Sequence, residues 1–246
     1  MSEPDAARRV LAGPGAVVSI PDPGAADAVL SAGYGWVVID TEHSVIDPST
    51  QVWLTATVQG RGAAALVRVA ANDHQLIGAA LDGGADGVIV PGVESPDAAA
   101  AAAAAVRYPP RGTRSIGPVR RQRPDLLCIM QIESQEAVAR AAQIAAVEGI
   151  DAVMVGPGDL ALSLGRAPGI DSHHPDLRAA YRAVIQACRT AGRPAGTFAL
   201  LGADDVRATA EAGWDFIATF HDRSALARTA AVEKHAADDV LASAMG

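Results

Sequence analysis

Short apolar runs alternate with longer amphipathic stretches along the whole chain. The apolar runs have strand length, and they predict β-strands at 17–20, 36–40, 65–69, 87–91, 127–133, 152–155, 194–197 and 216–219. The amphipathic stretches predict helices near 24–32, 48–60, 74–83, 96–106, 135–147, 175–191, 203–212 and 222–242. Strands that alternate with helices in this way are typical of an α/β protein with a parallel sheet.

The number of predicted strands favours one parallel architecture over another. Runs such as Val88-Ile89-Val90 are apolar throughout, which fits a sheet buried on both faces. Eight strand–helix units in 246 residues favour a closed (β/α)₈ TIM barrel over an open doubly wound sheet. The Gly-x-Gly-x-x-Gly fingerprint of a dinucleotide site does not follow the first predicted strand. We therefore expect residues 1–246 to form a single TIM-barrel domain.

Composition and charge exclude several classes of protein. Hydrophobic residues make up 50% of the chain and charged residues 20%, which is typical of a folded domain. A formal net charge of −8 argues against a nucleic-acid-binding protein, and the lack of a long apolar run argues against a membrane protein. Two cysteines are too few for a disulfide framework, and no apolar signal region follows the N-terminus, so we expect a cytoplasmic protein.

Lysine chemistry is disfavoured by a simple count. Of the 20 basic residues, only Lys234 is a lysine, and it lies in a polar segment that looks like a solvated terminal helix. A Schiff-base mechanism needs an activated lysine amine. We therefore expect a mechanism without a covalent lysine adduct.

Polar side chains gather where the predicted strands end, which is the end of a TIM barrel that carries the active site. Asp40-Thr41-Glu42-His43 ends strand two, Arg68 ends strand three, Gln131-Ile132-Glu133 ends strand five, and Gly156-Pro157-Gly158-Asp159 follows strand six. An arginine in that place needs an anionic partner if it is buried. Two carboxylates at neighbouring strand ends, with no cysteine nearby, suit Mg²⁺, which prefers oxygen ligands.

Ordinary structural interpretations also exist for these residues. Glu133 fits a carboxylate favoured by the dipole of a following helix, and Asp159 fits a simple N-cap before Leu160. His43 fits an exposed loop histidine, and Asp82 fits a surface residue near the end of a helix.

The strand-end residues belong to seven short motifs spread along nearly the whole chain. In order they are Asp40-Thr41-Glu42-His43, Val67-Arg68-x-x-x-Asn72-Asp73, Leu81-Asp82-x-Gly84-Ala85, Val90-Pro91-x-Val93-Glu94, Arg107-Tyr108-Pro109-Pro110-x-Gly112-x-Arg114, Gln131-Ile132-Glu133 and Val155-Gly156-Pro157-x-Asp159-Leu160. Together they resemble the HpcH/HpaI family of metal-dependent pyruvate aldolases, which includes 4-hydroxy-2-oxoheptanedioate and 2-keto-3-deoxy sugar-acid aldolases.

The resemblance implies a reaction and its cofactor. The chain would reversibly cleave a 4-hydroxy-2-oxo acid to pyruvate, or hydroxypyruvate, and an aldehyde through an enolate. Glu133 and Asp159 would bind a Mg²⁺ or Mn²⁺ ion. The backbone around Gly158 and Asp159 would hold the carboxylate of the substrate. The family also implies a homo-oligomer, a hexamer or a trimer, with the final helix possibly exchanged between subunits.

The resemblance also implies three catalytic residues. Arg68 would contact the keto oxygen and stabilise the enolate. His43 would be the general base, and Asp82 would support it.

Two departures from the family concern the aldehyde. Only 13 residues separate Arg114 from Cys128, where relatives usually have a longer segment. After the last strand the chain has Phe220-His221-Asp222 instead of Gly-Ser-Asp. A shorter segment at the edge of the active site offers fewer contacts to the aldehyde. We therefore expect the protein to accept a broad range of aldehydes.

Two other functions fit the same residues. A citrate-lyase-like or malyl-thioester lyase has the same barrel, but such enzymes are usually longer and bind coenzyme A, for which no extra segment is seen. A non-catalytic binder of 2-oxo acids would need only the metal and Arg68. The presence of His43 and Asp82 argues against such a binder.

Overall fold

A closed barrel of eight parallel strands forms the centre of the protein. The computed structural model describes residues 10–116, 126–167 and 174–245. The strands pair in sequence order, and β8 closes the barrel on β1. Their bounds are β1 Pro14–Val18, β2 Trp36–Asp40, β3 Ala64–Arg68, β4 Gly87–Val90, β5 Leu127–Ile132, β6 Ala152–Val155, β7 Ala195–Phe198 and β8 Phe216–His221. The predicted TIM barrel is confirmed, and the open sheet is excluded.

Helices surround the barrel and follow the predicted order. They are α1 Pro23–Leu30, α2 Pro48–Gly60, α3 His74–Asp82, α4 Pro96–Val106, α5 Gln135–Ala139, α6 Ala141–Ala145, α7 Pro157–Ser163, α8 Pro175–Ala191, α9 Ala203–Glu211 and α10 Asp222–Met245. Five of them begin with proline, whose fixed φ angle and missing N–H suit the first helical position. None of the helices in the described ranges is long and apolar enough to cross a membrane.

Two details of the helix prediction were wrong. The predicted helix at 135–147 is two short helices that meet at Arg140. Helix α7 was not predicted, and its N-cap is Gly156, so Asp159 lies in the first turn and is not the N-cap. The error arose because Gly156-Pro157-Gly158 looks like a loop, whereas proline in fact occupies the first position of a helix.

Side chains alternate along each strand, so the sheet has one apolar layer inside the barrel and a second between the strands and the helices. Trp36, Val38 and Leu66 pack with other strand residues inside the barrel, whereas Val37 and Ile39 pack with residues of the helices. Because side chains alternate along a strand, Asp40 and Arg68 lie on the interior side, as the next positions after Val38 and Leu66. The polar residues at the carboxyl ends thus continue the inward-facing rows of the core.

Three aspartates join neighbouring strands at the amino end of the barrel. Asp86 Oδ2 accepts the N–H of Ala65 at 2.7 Å, and Asp151 Oδ2 accepts the N–H of Cys128 at 2.7 Å. Asp215 Oδ2 accepts the N–H of Ala195 at 2.9 Å. Each aspartate directly precedes an even-numbered strand and binds the preceding odd-numbered one, so the same short connection recurs around the barrel.

Helix α10 extends the chain beyond the barrel. Its apolar side chains Leu226, Val232, Val240 and Leu241 are exposed. The exchange of this helix between subunits stays a prediction.

Candidate active site

A bidentate ion pair joins the carboxyl ends of β2 and β3. Arg68 Nε donates to Asp40 Oδ1 at 2.9 Å and Nη2 donates to Oδ2 at 2.8 Å. The strand register places the two residues side by side, and their side chains are only 12% and 3% exposed. The guanidinium carbon also lies 5.6 Å from the centre of the Phe198 ring on β7. Asp40 is therefore the anionic partner that a buried arginine at this position requires.

Both members of this pair are held in their charged forms. Burial raises the pKa of Asp40, but the hydrogen bonds and charge of Arg68 outweigh it and leave that pKa below its ordinary value. Burial lowers the pKa of Arg68, whereas Asp40, Glu42 and Glu133 raise it, with a net increase. Arg68 Nη1 has no hydrogen-bond partner among the described residues. The arginine is thus a fixed cation with one nitrogen left to bind an oxygen of a ligand.

Glu42 is a second carboxylate beside Arg68. Its Oε2 lies 3.3 Å from Arg68 Nε and 3.7 Å from His43 Nε2. That oxygen is buried, and no hydrogen bond to it is found in the described part of the chain. Burial and the charge of Glu133 raise the pKa of Glu42, and Arg68 only partly offsets this. Glu42 belongs to the motif after β2, but the sequence alone gave it no role.

His43 lies in the loop after β2, at the end of the barrel where it was predicted. Its side chain is 59% exposed. The loop is turned by Asp40, whose Oδ1 accepts the backbone N–H groups of Glu42 at 3.1 Å and of His43 at 3.2 Å. Asp40 therefore determines both the orientation of Arg68 and the start of the loop that carries His43.

Glu133 is held at the end of β5 by its neighbours. Its Oε1 accepts the N–H of Gly92 at 2.7 Å, and its Oε2 accepts a hydrogen bond from Gln131 Nε2. A Cβ atom at Gly156 would lie 2.9 Å from Glu133 Oε2, so the missing side chain leaves room for this carboxylate beside the turn before α7. That turn leads to Gly158 and to the exposed Asp159.

Gln131 was not predicted as a site residue. Its side chain is fully buried and its Oε1 has no partner among the residues that the structure describes. A buried acceptor without a partner is costly, so such an atom marks a place where a ligand or water binds. The inward parity of residues 127, 129 and 131 on β5 was the signal that would have identified it.

The donor set fits a divalent cation with few protein ligands. Asp40, Glu42, Glu133 and Asp159 lie at the carboxyl ends of the strands, and Arg68 supplies the opposing positive charge. The described residues contain no cluster of three or more His, Cys, Asp or Glu side chains arranged to hold a metal. Mg²⁺ is commonly held by one or two carboxylates together with waters and substrate oxygens, so Glu133 and Asp159 with an excess of negative charge suit it.

Asp82 occupies a different part of the fold from His43. It is the last residue of α3, on the return to β4, and its Oδ1 accepts from Arg114 Nη2 at 2.7 Å. The guanidinium of Arg114 lies over the ring of Tyr108 at 4.9 Å. The role implied for Asp82, support of His43, stays a prediction.

A network of side chains closes the barrel between β1 and β8. Ser19 Oγ lies 2.8 Å from Asp222 Oδ1 and 2.9 Å from His221 Nε2, and His221 Nδ1 lies 2.8 Å from Ser224 Oγ. The carboxylate only accepts, so Ser19 donates to it and accepts from Nε2–H, and Ser224 then donates to Nδ1. Burial lowers the pKa of His221, with Asp222 and Asp40 acting in the opposite direction. His221 thus belongs to the hydrogen-bonded network that joins the ends of β1 and β8.

The shortened segment at 115–127 is only partly described. Residues 117–125 lie outside the described ranges. The expected broad tolerance of aldehydes, which depends on this segment, therefore stays a prediction.

Known proteins resemble this chain over most of its length. The family model described as HpcH/HpaI aldolase/citrate lyase matches residues 18–229. A hydroxypyruvate/pyruvate aldolase from Sagittula stellata is 37% identical over 226 residues, which are 86% of this chain and 87% of that protein. A 5-keto-4-deoxy-D-glucarate aldolase from Klebsiella pneumoniae is 35% identical over 204 residues, which are 78% of each chain.

A solved structure of the same family has a similar fold. A HpcH/HpaI aldolase/citrate lyase family protein from Burkholderia cenocepacia matches with a TM-score of 0.84 and 32% identity, over 95% of this chain and 97% of that one. The region matched by the family model includes every strand end that carries a candidate site residue.

Proposed function

Because the chain belongs to the HpcH/HpaI aldolase/citrate lyase family, we propose that it is a divalent-metal-dependent aldolase acting on 2-oxo acids. The reaction is the reversible cleavage of a 4-hydroxy-2-oxo acid to pyruvate, or hydroxypyruvate, and an aldehyde. The relative from Sagittula stellata, a hydroxypyruvate/pyruvate aldolase, supports this substrate class. The structural observation that carries the proposal is Arg68, which is fixed by Asp40 beside the carboxylates at the carboxyl end of the barrel, and whose Nη1 has no partner within residues 10–116, 126–167 and 174–245.

Glu133 and Asp159 are the residues proposed to hold a Mg²⁺ or Mn²⁺ ion. When bound, such an ion acts as a Lewis acid that polarises a carbonyl oxygen. The backbone N–H groups of Gly158 and Asp159 lie in the first turn of α7, where they have no acceptor within the helix. They are suited to bind the carboxylate of the 2-oxo acid.

Arg68 and His43 are proposed to carry out the reaction. In the cleavage direction His43 takes the proton from the 4-hydroxyl group, and the C3–C4 bond breaks to release the aldehyde. The electron pair of that bond forms the enolate, whose oxygen is stabilised by the charge of Arg68. Proton transfer to C3 then completes the pyruvate. Asp82 retains only the supporting role implied by the resemblance, and the kcat of Asp82→Asn measures it.

Turnover of pyruvate and of hydroxypyruvate with a panel of aldehydes tests the proposal. We expect carbon–carbon bond formation that stops in chelator and returns with Mn²⁺ or Mg²⁺. Exchange of the C3 protons of pyruvate with solvent, measured by NMR without any aldehyde, isolates enolate formation from acceptor binding. Turnover that requires a coenzyme A thioester would show the thioester lyase, and metal-dependent pyruvate binding without exchange would show the non-catalytic binder.

We also infer that the chain forms a homo-oligomer, a hexamer or a trimer. The exposed apolar side chains of α10 support an interface there. Sedimentation of the full chain and of Leu241→Glu, an exposed position, tests this: the variant is expected to dissociate, and a monomeric wild-type chain would contradict the inference.

A further inference from the structure

We propose that His221 determines specificity for the aldehyde: with Ser224 it offers hydrogen-bond acceptors that favour an aldehyde carrying a hydroxyl group beside its carbonyl. This inference rests on the proposed function, because it concerns the second substrate of that reaction. His221 lies in one of the two places where the chain departs from the family, which has Gly-Ser-Asp after the last strand. The preference concerns the group beside the carbonyl, so it is compatible with aldehydes of different lengths.

The first argument is a β-bulge that turns His221 towards the inside of the barrel. The register of β1 against β8 shifts between Gly15 and Ala16, so β8 has one extra residue, Thr219. After the shift His221 pairs with Val17, whose side chain packs inside the barrel. Directly paired residues project to the same face of a sheet. Bulges that re-aim a side chain in this way are over-represented next to active sites.

The second argument is the position of His221 among the site residues. Its Nε2 lies 2.9 Å from Ser19 Oγ. Ser19 and Asp40 are the next inward positions after a pair of core valines on β1 and β2. The charges of Asp40 and Arg68 act on the His221 ring, whose side chain is 21% exposed. His221 therefore continues the row of polar side chains at the carboxyl end of the barrel.

The third argument is the side of the barrel on which His221 lies. The residues proposed to hold the metal and the 2-oxo acid follow β5 and β6, and in a closed ring of eight strands β1 lies opposite β5. A substrate held there by its keto and carboxylate groups extends across the barrel, past His43 after β2, towards β1 and β8. The part of the substrate that reaches β1 and β8 is the part released as the aldehyde.

The fourth argument is the direction of the hydrogen bonds. Asp222 Oδ1 lies 2.8 Å from Ser19 Oγ, and a carboxylate only accepts, so Ser19 is the donor. Ser19 Oγ then accepts from His221 Nε2, and His221 Nδ1 accepts from Ser224 Oγ. Burial lowers the pKa of His221, which agrees with an unprotonated Nδ1.

The polar hydrogens of these side chains are therefore all used within the network. Its partly exposed members, His221 and Ser224, offer only lone pairs to a ligand. Lone pairs bind the O–H group of a hydroxyl, but they make no hydrogen bond with a methyl group or with a carboxylate.

A simpler explanation is that His221 only joins β8 to β1. Asp222 already makes that connection, because its Oδ2 accepts the backbone N–H groups of Ser19 at 2.9 Å and of Ile20 at 2.8 Å. If the role of His221 is only structural, its replacement lowers kcat/KM for all aldehydes by the same factor. If His221 contacts the aldehyde, an aldehyde that donates a hydrogen bond loses more than the others.

Three small aldehydes distinguish these explanations. Glycolaldehyde carries a hydroxyl group where propionaldehyde carries a methyl group and glyoxylate carries carboxylate oxygens. His221→Phe keeps a planar ring and removes both nitrogens. At saturating pyruvate we expect this variant to lower kcat/KM for glycolaldehyde about 3–10-fold more than for the other two, as for loss of one hydrogen bond. Differences in intrinsic reactivity cancel when each aldehyde is compared between variant and wild type.

His74→Phe is the matched control. It makes the same change at an exposed histidine that begins α3 at the same end of the barrel, and we expect the relative kcat/KM values of the wild type. His221→Ser, which introduces the serine of the family pattern, gives a second test if His221→Phe does not fold. Its side chain is too short to replace the ring, so we expect the same selective loss for glycolaldehyde.

Equal losses for the three aldehydes would overturn the inference, as would a loss for glycolaldehyde no larger than in His74→Phe. A loss confined to glyoxylate would also overturn it, because His221 would then bind a carboxylate. Turnover with unchanged relative kcat/KM values overturns this inference alone. Absence of turnover and of C3 proton exchange in the wild-type chain overturns the proposed function, and this inference with it.

Discussion

The two ends of the barrel use carboxylates in opposite ways. At the amino end, Asp86 and Asp151 are buried, and each accepts a backbone N–H of the neighbouring strand. At the carboxyl end, Asp40 is paired with Arg68, but Glu42 Oε2 has no hydrogen-bond donor in the described ranges. The difference teaches that satisfied carboxylates stabilise the barrel, whereas an excess of carboxylates with unsatisfied oxygens prepares a site for a ligand.

The amino end is also built by repetition. Glycines with positive φ, such as Gly84 at 100° and Gly149 at 87°, come two residues before the aspartates and turn the chain into the next strand. Side chains other than glycine rarely adopt this conformation, so the Gly-x-Asp sequence encodes the connection locally. No such repeat relates Asp40, Glu42 and Glu133, because each contributes to one site and not to a strand connection.

The largest effects on kcat are expected at the carboxyl end of the barrel, from removal of His43 or Arg68. His43→Ala should lower kcat about 10²–10⁴-fold with little change in pyruvate binding, as expected for loss of a general base. Arg68→Ala should lower kcat about 10²–10³-fold and also weaken binding, because its charge acts on both ground state and transition state. Steady-state kinetics measures both. Identical kinetic profiles for the two variants would show that these roles are wrongly assigned.

Asp151→Ala at the amino end should affect stability and not chemistry. It removes the acceptor of the Cys128 N–H and the buried partner of Arg107, whose Nη2 lies 2.9 Å away. Loss of one partner of a buried ion pair costs about 3–5 kcal/mol of unfolding free energy. Urea unfolding and kcat per folded molecule measure the two quantities separately.

Asp215→Ala is the matched control for that prediction. Asp215 makes the equivalent bond to Ala195 but is exposed, so we expect a loss of only about 0.5–1.5 kcal/mol. Equal losses for the two aspartates would contradict the role assigned to burial.

The Asp40–Arg68 pair predicts a dependence of stability on pH. The pKa of Asp40 is lower in the folded chain than its ordinary value of 3.8. Its contribution to stability is therefore complete above that value and is lost as the pH falls through the lower pKa of the folded state. In Arg68→Met, burial acts without the opposing cation and raises the pKa of Asp40. Protonation of Asp40 then favours the folded variant, so the stability that the variant lacks relative to the wild type should be largest near neutral pH and should shrink as the pH falls. Thermal unfolding at several pH values measures this difference, and a difference that stays constant or grows on acidification would refute the prediction.

Gly156→Ala should weaken the metal site while leaving the barrel folded. The new Cβ would lie 2.9 Å from Glu133 Oε2 and would displace that carboxylate. We expect Mn²⁺ affinity, measured by calorimetry, to fall about 10–100-fold, as for other changes in the surroundings of metal ligands. Gly158→Ala is the control, because no atom lies within 4 Å of a Cβ at that position. Unchanged affinity in Gly156→Ala would contradict the expected displacement of Glu133, and Glu133→Gln then tests directly whether Glu133 is a ligand.

The smallest effect is expected from Lys234→Ala. Lys234 lies on α10 and pairs with Asp238 at 2.6 Å in solvent, and such pairs contribute about 0.3–0.5 kcal/mol. We expect an unchanged kcat, and borohydride added with pyruvate should trap no adduct, as mass spectrometry of the chain can verify. An adduct on Lys234 would replace the proposed mechanism with Schiff-base chemistry.

The sequence by itself determined the architecture of the barrel. The prediction of β2 at Trp36–Asp40 and of β6 at Ala152–Val155 agrees with the structure to the residue. Strand and helix periodicity are local properties, and eight alternations leave little choice of fold. The position of Arg68, His43, Glu133 and Asp159 at the carboxyl ends follows from the same local pattern, because the strands are parallel.

Only the tertiary structure decided which of these side chains meet. The register of β2 against β3 joins Asp40 to Arg68, and it also places Glu42 beside Arg68. Within the described chain Asp82 accepts a hydrogen bond from Arg114, a contact that its motif did not indicate, and its support of His43 stays a prediction. Periodicity gives the face on which a residue lies, but ion pairs form between residues far apart in sequence. Their choice depends on strand register and on competition among charges, which no local pattern encodes.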